Sequence, residues 1–193
     1  MFTKNGNILK INGNWLNPHV EPEPYPFEEV TIGTQTWMAK NLDIDDGGTG
    51  ITITDNVTAN GVNFGTQYYY NWNAAVRVAA SVEGWHLPTQ AEWDALATAV
   101  GGESVAGTKL KSTTGWDSGI GNGTDDYGFT AFPAGYYYGN SDTLNYVGCL
   151  GYFWTSNEYS STEAYFRYFY TEAIGSTNAL IGSRFSVRLI KDT

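Results

Sequence analysis

The chain has 193 residues, 41% of them apolar and 16% aromatic, with 23 glycines and a net charge of −10 from 20 acidic and 10 basic side chains. That is enough apolar material for one core, and the excess of aromatic residues and glycine favours short strands and turns with tyrosines at half-wet positions. With no basic stripe, and no apolar run near the roughly 18 residues of a membrane helix, the chain reads as neither a nucleic-acid binder nor a membrane-inserted protein.

Residues 1–17 read as a β-hairpin: "ILKI" alternates, and Asn-Gly pairs stand at 5–6 and 12–13. The opening has no hydrophobic run of the signal-peptide kind. Pro18, Pro22, Pro24 and Pro26 then define a semi-rigid linker, 18–28, and the main domain is expected over 29–193.

"EVTIGTQTWMAKNL" (29–42) predicts two short strands around Gly33-Thr34, and "ITIT" another strand. "QYYYNWNAAVRVAAS" turns helical, with Ala74, Ala75, Val78 and Ala79 on one face. A second helix is expected after Thr89, which forms a capping box with Glu92. Its core stripe is Trp93, Leu96, Ala97 and Val100, and Gly101 stands just past its end. No helical period follows residue 101. A long loop region rich in Gly, Asp and Asn is expected, then strands at "YFWTS", "EAYFRYFY" and "SRFSVRLI". The order describes an α+β domain of short antiparallel sheets with two helices.

Catalytic signatures are sparse. The histidines, His19 and His86, stand far apart, and His86 is expected in a supporting role. Cys149, the only cysteine, cannot form an internal disulfide and reads as a buried small hydrophobe. No P-loop, nucleophile elbow or H-E-x-x-H occurs. No cofactor is expected, with calcium the one alternative kept open. The acidic stretches holding Asp43, Asp45 and Asp46, and Asp117, Asp125 and Asp126, have the oxygen ligands calcium takes, but they match no EF-hand loop and read as solvated turns. "NVT" (56–58) and "NGT" (122–124) are glycosylation sequons.

In order, "IGTQTWMAKNL", "YYYNWNAA", "EGWHLPTQAEWDAL", "GTKLKSTTGW", "GFTAFPAGYYYG", "YFWTSNEYS", "AYFRYFY" and "RFSVRLIKD" resemble the Fibrobacter succinogenes major paralogous domain over about residues 29–192. That family is similar in turn to the formylglycine-generating-enzyme branch of the C-type lectin fold. The resemblance implies a C-type lectin-like fold: terminal strands paired, two helices on the sheet, and a loop-rich ligand face. Two family cysteines, a pair by what the resemblance implies, are replaced here by Ser81 and Leu189, as expected if a disulfide was dropped whole in a protein folded in a reducing cytoplasm. The reactive cysteines of the formylglycine-generating enzymes are also missing, so that activity is not carried over.

The C-terminal region also resembles the variable proteins of diversity-generating retroelements, in which adenine-directed mutagenesis changes AAY-type codons. Residues 166, 168 and 170 are reachable from such codons, as are Ser176, Thr177, Asn178, Ala179, Leu180, Gly182, Ser183 and Arg184. Alternation puts Phe166, Tyr168 and Tyr170 on one face of their strand, expected as a contact face, and Tyr165, Arg167 and Phe169 on the other, expected as core with Arg167 paired. Thr171, Ser160 and Ser161 complete the expected binding surface, whose Tyr, Ser, Asn and Gly content resembles an antibody paratope.

These readings lead to a non-enzymatic ligand-binding protein with a diversified C-terminal surface, carried on a virion tail or a cell surface. Its partner is expected to be a cell-surface protein or glycan, and the N-terminal segment is a candidate trimerisation element. The alternative is an undiversified extracytoplasmic adhesion or carbohydrate-associated module; a formylglycine-generating-like enzyme ranks last. Replacing Phe166, Tyr168 and Tyr170 with Ala is expected to abolish binding with little loss of thermal stability.

Overall fold

The computed structural model describes residues 27–193 and the strand residues 10, 11, 14 and 15; residues 18–26 of the expected linker and the rest of the expected 1–17 hairpin, both Asn-Gly pairs included, lie outside the described residues. Near the N-terminus, β1 (Lys10–Ile11) and β2 (Asn14–Trp15) pair antiparallel. β3 (Glu29–Ile32) and β4 (Gln35–Met38) form the expected pair around Gly33, which takes φ 63, a left-handed conformation that costs glycine little. β5 (Ile44–Asp45) pairs antiparallel with β1.

β6 (Ile51–Thr54) and β9 (Gln67–Tyr70) pair around a small ribbon of β7 (Thr58–Ala59) and β8 (Val62–Asn63). α1 (Trp72–Ala79) starts at Asn71, whose side chain accepts from the Ala74 amide. It buries Ala74, Ala75, Val78 and Ala79, the face its spacing predicts. β10 (Trp85–His86) leads to α2 (Gln90–Ala99), capped reciprocally by Thr89 and Glu92. Trp93, Leu96, Ala97 and Val100 are buried, and Gly101 reverses the chain at φ 111.

Helix formation does not stop at residue 101 as the sequence reading expects. α3 (Glu103–Leu110) follows, with no side chain capping it at Gly102. Its buried face is Ala106, Gly107 and Leu110, one large apolar residue in two turns, so no hydrophobic period marks it in the sequence. Gly107 sits in mid-helix because a Cβ there would fall 2.6 Å from the carbonyl oxygen of Glu172.

The long stretch after α3 holds only β11 (Tyr136–Tyr137) and β12 (Leu144–Asn145). Two buried cations pin it. Lys111 Nζ donates to the carbonyls of Gly121 (2.7 Å) and Tyr170 (3.1 Å) and lies 4.6 Å from the centre of the Trp116 ring. The Arg188 guanidinium donates to Asn41 Oδ1 and to the carbonyls of Met38, Phe129 and Thr130. Both donate to neutral carbonyl-type oxygens, and burial lowers both pKa values.

β13 (Gly151–Ser160), β14 (Glu163–Phe169) and β15 (Ile174–Leu180) form an antiparallel sheet in that order. The small polar run after "EAYFRYFY" is thus itself a strand. "SRFSVRLI" pairs mostly through single bridges, Phe185 with Tyr70 and Ser186 with Phe153, and becomes a regular strand only at β16 (Ile190–Lys191). β16 lies between β10 and β4, in a sheet of order β10-β16-β4-β3, so both ends of the domain share one sheet. The architecture is α+β with three helices among the described residues, one more than the sequence reading expects.

Two aromatic clusters flank the β13–β14–β15 sheet. Trp154, Phe166 and Phe185 pack with Met38, Leu42 and α1, whereas Phe153 and Phe169 pack with Trp37, Trp93 and Phe129 beside α2 and α3. Each fully buried aromatic stabilises the fold by about 1.5–3 kcal/mol over leaving it exposed.

Candidate ligand-binding surface

The strand register decides which side chains share a face. Tyr152 pairs with Tyr168 and Trp154 with Phe166 across β13 and β14. Tyr168 then pairs with Gly175, and Phe166 with Thr177, across β14 and β15. The opposite face carries Phe153 and Arg167, and beside Arg167 stands Ser176. Here Arg167 is paired as expected: it is 2% exposed and bonds Asp94, Glu103 (3.1 Å) and the Gln90 carbonyl (3.0 Å). This face is therefore scaffold, tied to α2 and α3.

On the first face, four tyrosines converge at one end. Tyr136 stacks on Tyr152 with centroids 4.7 Å apart and on Tyr146 at 5.8 Å, and Tyr152 meets Tyr168 edge-on at 6.3 Å. The Tyr168 ring lies over Gly175, where a Cβ would collide with it. Burial pushes the Tyr152 phenol up to about 12, helped by the nearby phenols of Tyr136, Tyr168 and Tyr146. Tyr146 is 58% exposed and holds φ 58, a strained conformation for a bulky residue of the kind that collects at functional sites.

These tyrosines share a second property. None of the hydrogen bonds within the described residues involves the hydroxyl of Tyr136, Tyr146, Tyr152 or Tyr168. The scaffold tyrosines behave differently. Tyr69 Oη donates to the Ala134 carbonyl (2.7 Å), Tyr70 Oη bonds the Ile44 carbonyl (2.9 Å) and accepts from the Ile44 amide (3.0 Å), and Tyr137 Oη bonds Thr54 Oγ1 (2.8 Å). A buried phenol needs a partner, and one at a surface keeps its donor and acceptor free for a ligand.

The structure disperses the residues expected to form one contact surface. Phe166 is a correction: it is 4% exposed, 4.8 Å from Phe185 and 4.7 Å from Tyr152 by ring centroid. Both faces of β14 are packed, so the alternation of "AYFRYFY" does not mark an outside, and a triple alanine variant that includes Phe166 loses core as well as contact. Ser183 is the second correction. It is fully buried, its Oγ accepting from the Gly139 amide at 3.0 Å.

Tyr168 is half-buried in the tyrosine cluster, and Tyr170 is 45% exposed at the end of β14 beside half-buried Thr171. Ser160 and Ser161 are exposed at the β13–β14 turn. Ser176, Asn178 and Leu180 lie on the face of Arg167, opposite Tyr168, and Ser176 Oγ donates to Gln90 Oε1 at 2.6 Å. Gly182 and Arg184 are half-buried against the 138–142 loop. There Arg184 lies over the Tyr137 ring at 5.1 Å and donates to the Ser141 carbonyl. The sequence reading missed Tyr136, Tyr146 and Tyr152. Their available signal was the repeated tyrosine in the glycine-rich stretches "AGYYYG" and "NYVGCLGYF".

The model of the Fibrobacter succinogenes major domain matches residues 30–191. The chain belongs to this family. Among curated proteins and among solved structures, no match was found.

In this Fibrobacter succinogenes major domain the other groups with chemical potential have structural partners. His86 bridges Glu92 (2.8 Å) and Asp192 (2.6 Å); burial opposes its protonation, and the two carboxylates outweigh burial and raise its pKa. It clasps the start of α2 to the chain terminus. Cys149 is half-buried rather than buried, and its thiol donates to Asp117 Oδ2 at 2.8 Å. That bond, then burial, pushes the thiol up to about 11, away from thiolate reactivity. Of the acidic turns, Asp46 pairs with Arg77 (2.6 Å), and Asp125 accepts from the Thr130 amide (2.7 Å) and hydroxyl (2.6 Å). A concavity of about 640 Å³ lies elsewhere, lined partly by Phe64, Gln67 and Asn41. Its amides are engaged: Asn41 donates to Gln67 (3.1 Å) and accepts from Arg188 (3.1 Å).

Proposed function

We propose that this domain is a non-enzymatic receptor-binding or adhesion module of C-type lectin-like fold, and that it meets its ligand through the tyrosine cluster at the C-terminal sheet. The observation that carries the reading is the clustering of Tyr136, Tyr146, Tyr152 and Tyr168 against the packed C-terminal sheet, with no protein hydrogen bond to their hydroxyls among the described residues. Tyrosine gives large contact area with few rotors to freeze, and ordered strands limit the entropy lost on binding. The ligand is a protein or glycan on a cell surface. The domain is carried on a virion tail or a cell surface through its N-terminal segment, which is also the candidate trimerisation element.

Retroelement diversification of the C-terminal region is the fuller form of this reading. The exposed positions Ser160, Ser161, Tyr170, Ser176, Thr177 and Leu180 suit exchange, because surface substitutions cost little. Buried Phe166 and Ser183 favour a second reading, an undiversified extracytoplasmic module, because free exchange at packed positions destabilises. The neighbouring DNA separates the two. A near-repeat of the segment encoding residues 152–190, differing at adenines beside a reverse transcriptase gene, supports diversification, and its absence removes it. For the binding role, labelled wild-type protein is expected to coat target cells and the Tyr152→Ala/Tyr168→Ala variant to lose that signal. Equal signals would sink the tyrosine surface.

A further inference from the structure

The edges of the C-terminal sheet are treated differently. Along β13 the outer edge is covered by other backbone: Gly151 bridges Gly135, Phe153 bridges Ser186, and the Ser156 amide donates to the Pro88 carbonyl at 2.9 Å. β15 is the other edge. Its ladder with β14 runs without a register shift from Ile174–Phe169 to Leu180–Glu163. Beyond that ladder, the described backbone offers residues 174–179 no further hydrogen-bond partner.

Proteins normally blunt such an edge with charge, proline or a bulge. The run "IGSTNAL" has none of these, and Ser176, Thr177 and Leu180 are exposed. Alternate amides and carbonyls of this strand point away from β14, in the arrangement that accepts a further strand.

The surroundings select the occupant. Glu163 stands opposite Leu180 in the ladder, and exposed Glu172 precedes the strand. On the face of Ser176, Asp94 and Glu103 are more than half exposed and share the single charge of Arg167. On the other face Tyr168 covers Gly175 and presents aromatic surface. A second copy fits poorly. Each molecule carries a net charge of −10, and Glu163 and Glu172 add negative charge near both ends of the strand.

We propose that the free edge of β15 takes an extended strand of a partner protein, with basic side chains over the α2 face and apolar ones beside Tyr168. The proposal rests on the binding role argued above and narrows the partner to a protein. Main-chain pairing would supply affinity that survives exchange of the side chains around it, and the alternating side chains would supply selectivity.

The probe is a capped peptide, Lys-Val-Lys-Val-Lys-Val-Lys, titrated into the full chain and followed by calorimetry and amide hydrogen exchange. Saturable binding is expected, with exchange at 174–180 slowed on the order of tenfold or more. N-methylation of alternate peptide amides, Glu in place of Lys in the peptide, or Glu163→Lys with Glu172→Lys in the protein should each remove or sharply weaken the response. No slowing at 174–180, or equal binding of the N-methylated peptide, overturns the proposal. Slowing that grows with protein concentration and needs no peptide overturns it in favour of a second copy. The two readings fail separately: a silent peptide with cell binding intact removes the edge site alone, and a full peptide response without cell binding removes the tyrosine surface alone.

Discussion

Tyr69, Tyr70 and Tyr137 stand beside Tyr136, Tyr146, Tyr152 and Tyr168 in the same domain, and the two groups use one side chain in opposite ways. The first group is buried, and every hydroxyl in it is hydrogen-bonded to protein. The second is half-buried or exposed, and among the described residues its hydroxyls make no protein hydrogen bond. Ring packing is available to both; burial with a hydrogen-bonded hydroxyl marks the first group as scaffold, and what sets the second apart is its mutual stacking beside the C-terminal sheet.

The strongest way to break this comparison is through the residue beneath it. Phe166 touches Trp154, Phe185, Tyr152 and Tyr168, so Phe166→Ala should cost about 3–5 kcal/mol and lower the melting temperature clearly. An unchanged melting temperature would return Phe166 to the surface. Next, Tyr70→Phe leaves the Ile44 amide and a buried carbonyl unpaired. A loss of about 1–3 kcal/mol in denaturant unfolding is expected, and a neutral result would erase the distinction between the two groups.

Alkaline titration sharpens it further. Burial raises the phenols of Tyr69 and Tyr70, and that of Tyr152 to about 12, from an ordinary 10.0. A phenol whose folded value is raised contributes stability that is full below its unfolded value and is lost as pH rises through the folded one. Stability monitored against pH should therefore begin to fall above 10.0, and Tyr152→Phe should lose less than wild type between there and about 12. Identical profiles would mean that the Tyr152 hydroxyl is as wet as a free phenol. The smallest expected effect on stability is that of Tyr152→Phe with Tyr168→Phe, within about 0.5 kcal/mol of wild type, because no protein hydrogen bond is lost. A larger drop would show an unrecognised partner, and unchanged coating of target cells would show that the hydroxyls are not used.

Much of the fold was legible because its signals are local. The Thr89–Glu92 box, the Trp93 stripe, the apolar face of α1 and the turn at Gly33 all act within a few residues, and each stands where the sequence put it. α3 was not legible, since its small buried face answers to the Glu172 carbonyl, far away in the chain. The site was legible in part. "AYFRYFY" announced aromatic surface near the C-terminus, and Arg167 was expected to be paired. Phe166 went astray because a strand packed on both faces has no outside for alternation to reveal.

By itself the sequence determined the α+β composition, the family and the capped helices, through periods and caps that need no distant partner. Tertiary structure alone decided which tyrosines have a protein partner for their hydroxyls and, among the described residues, which edge of the last sheet is covered by other backbone. Both depend on what the rest of the chain brings alongside: the Ala134 carbonyl for Tyr69, Thr54 for Tyr137, and the 185–187 run for β13. Nothing in a tyrosine's own neighbours along the chain specifies whether such a partner arrives.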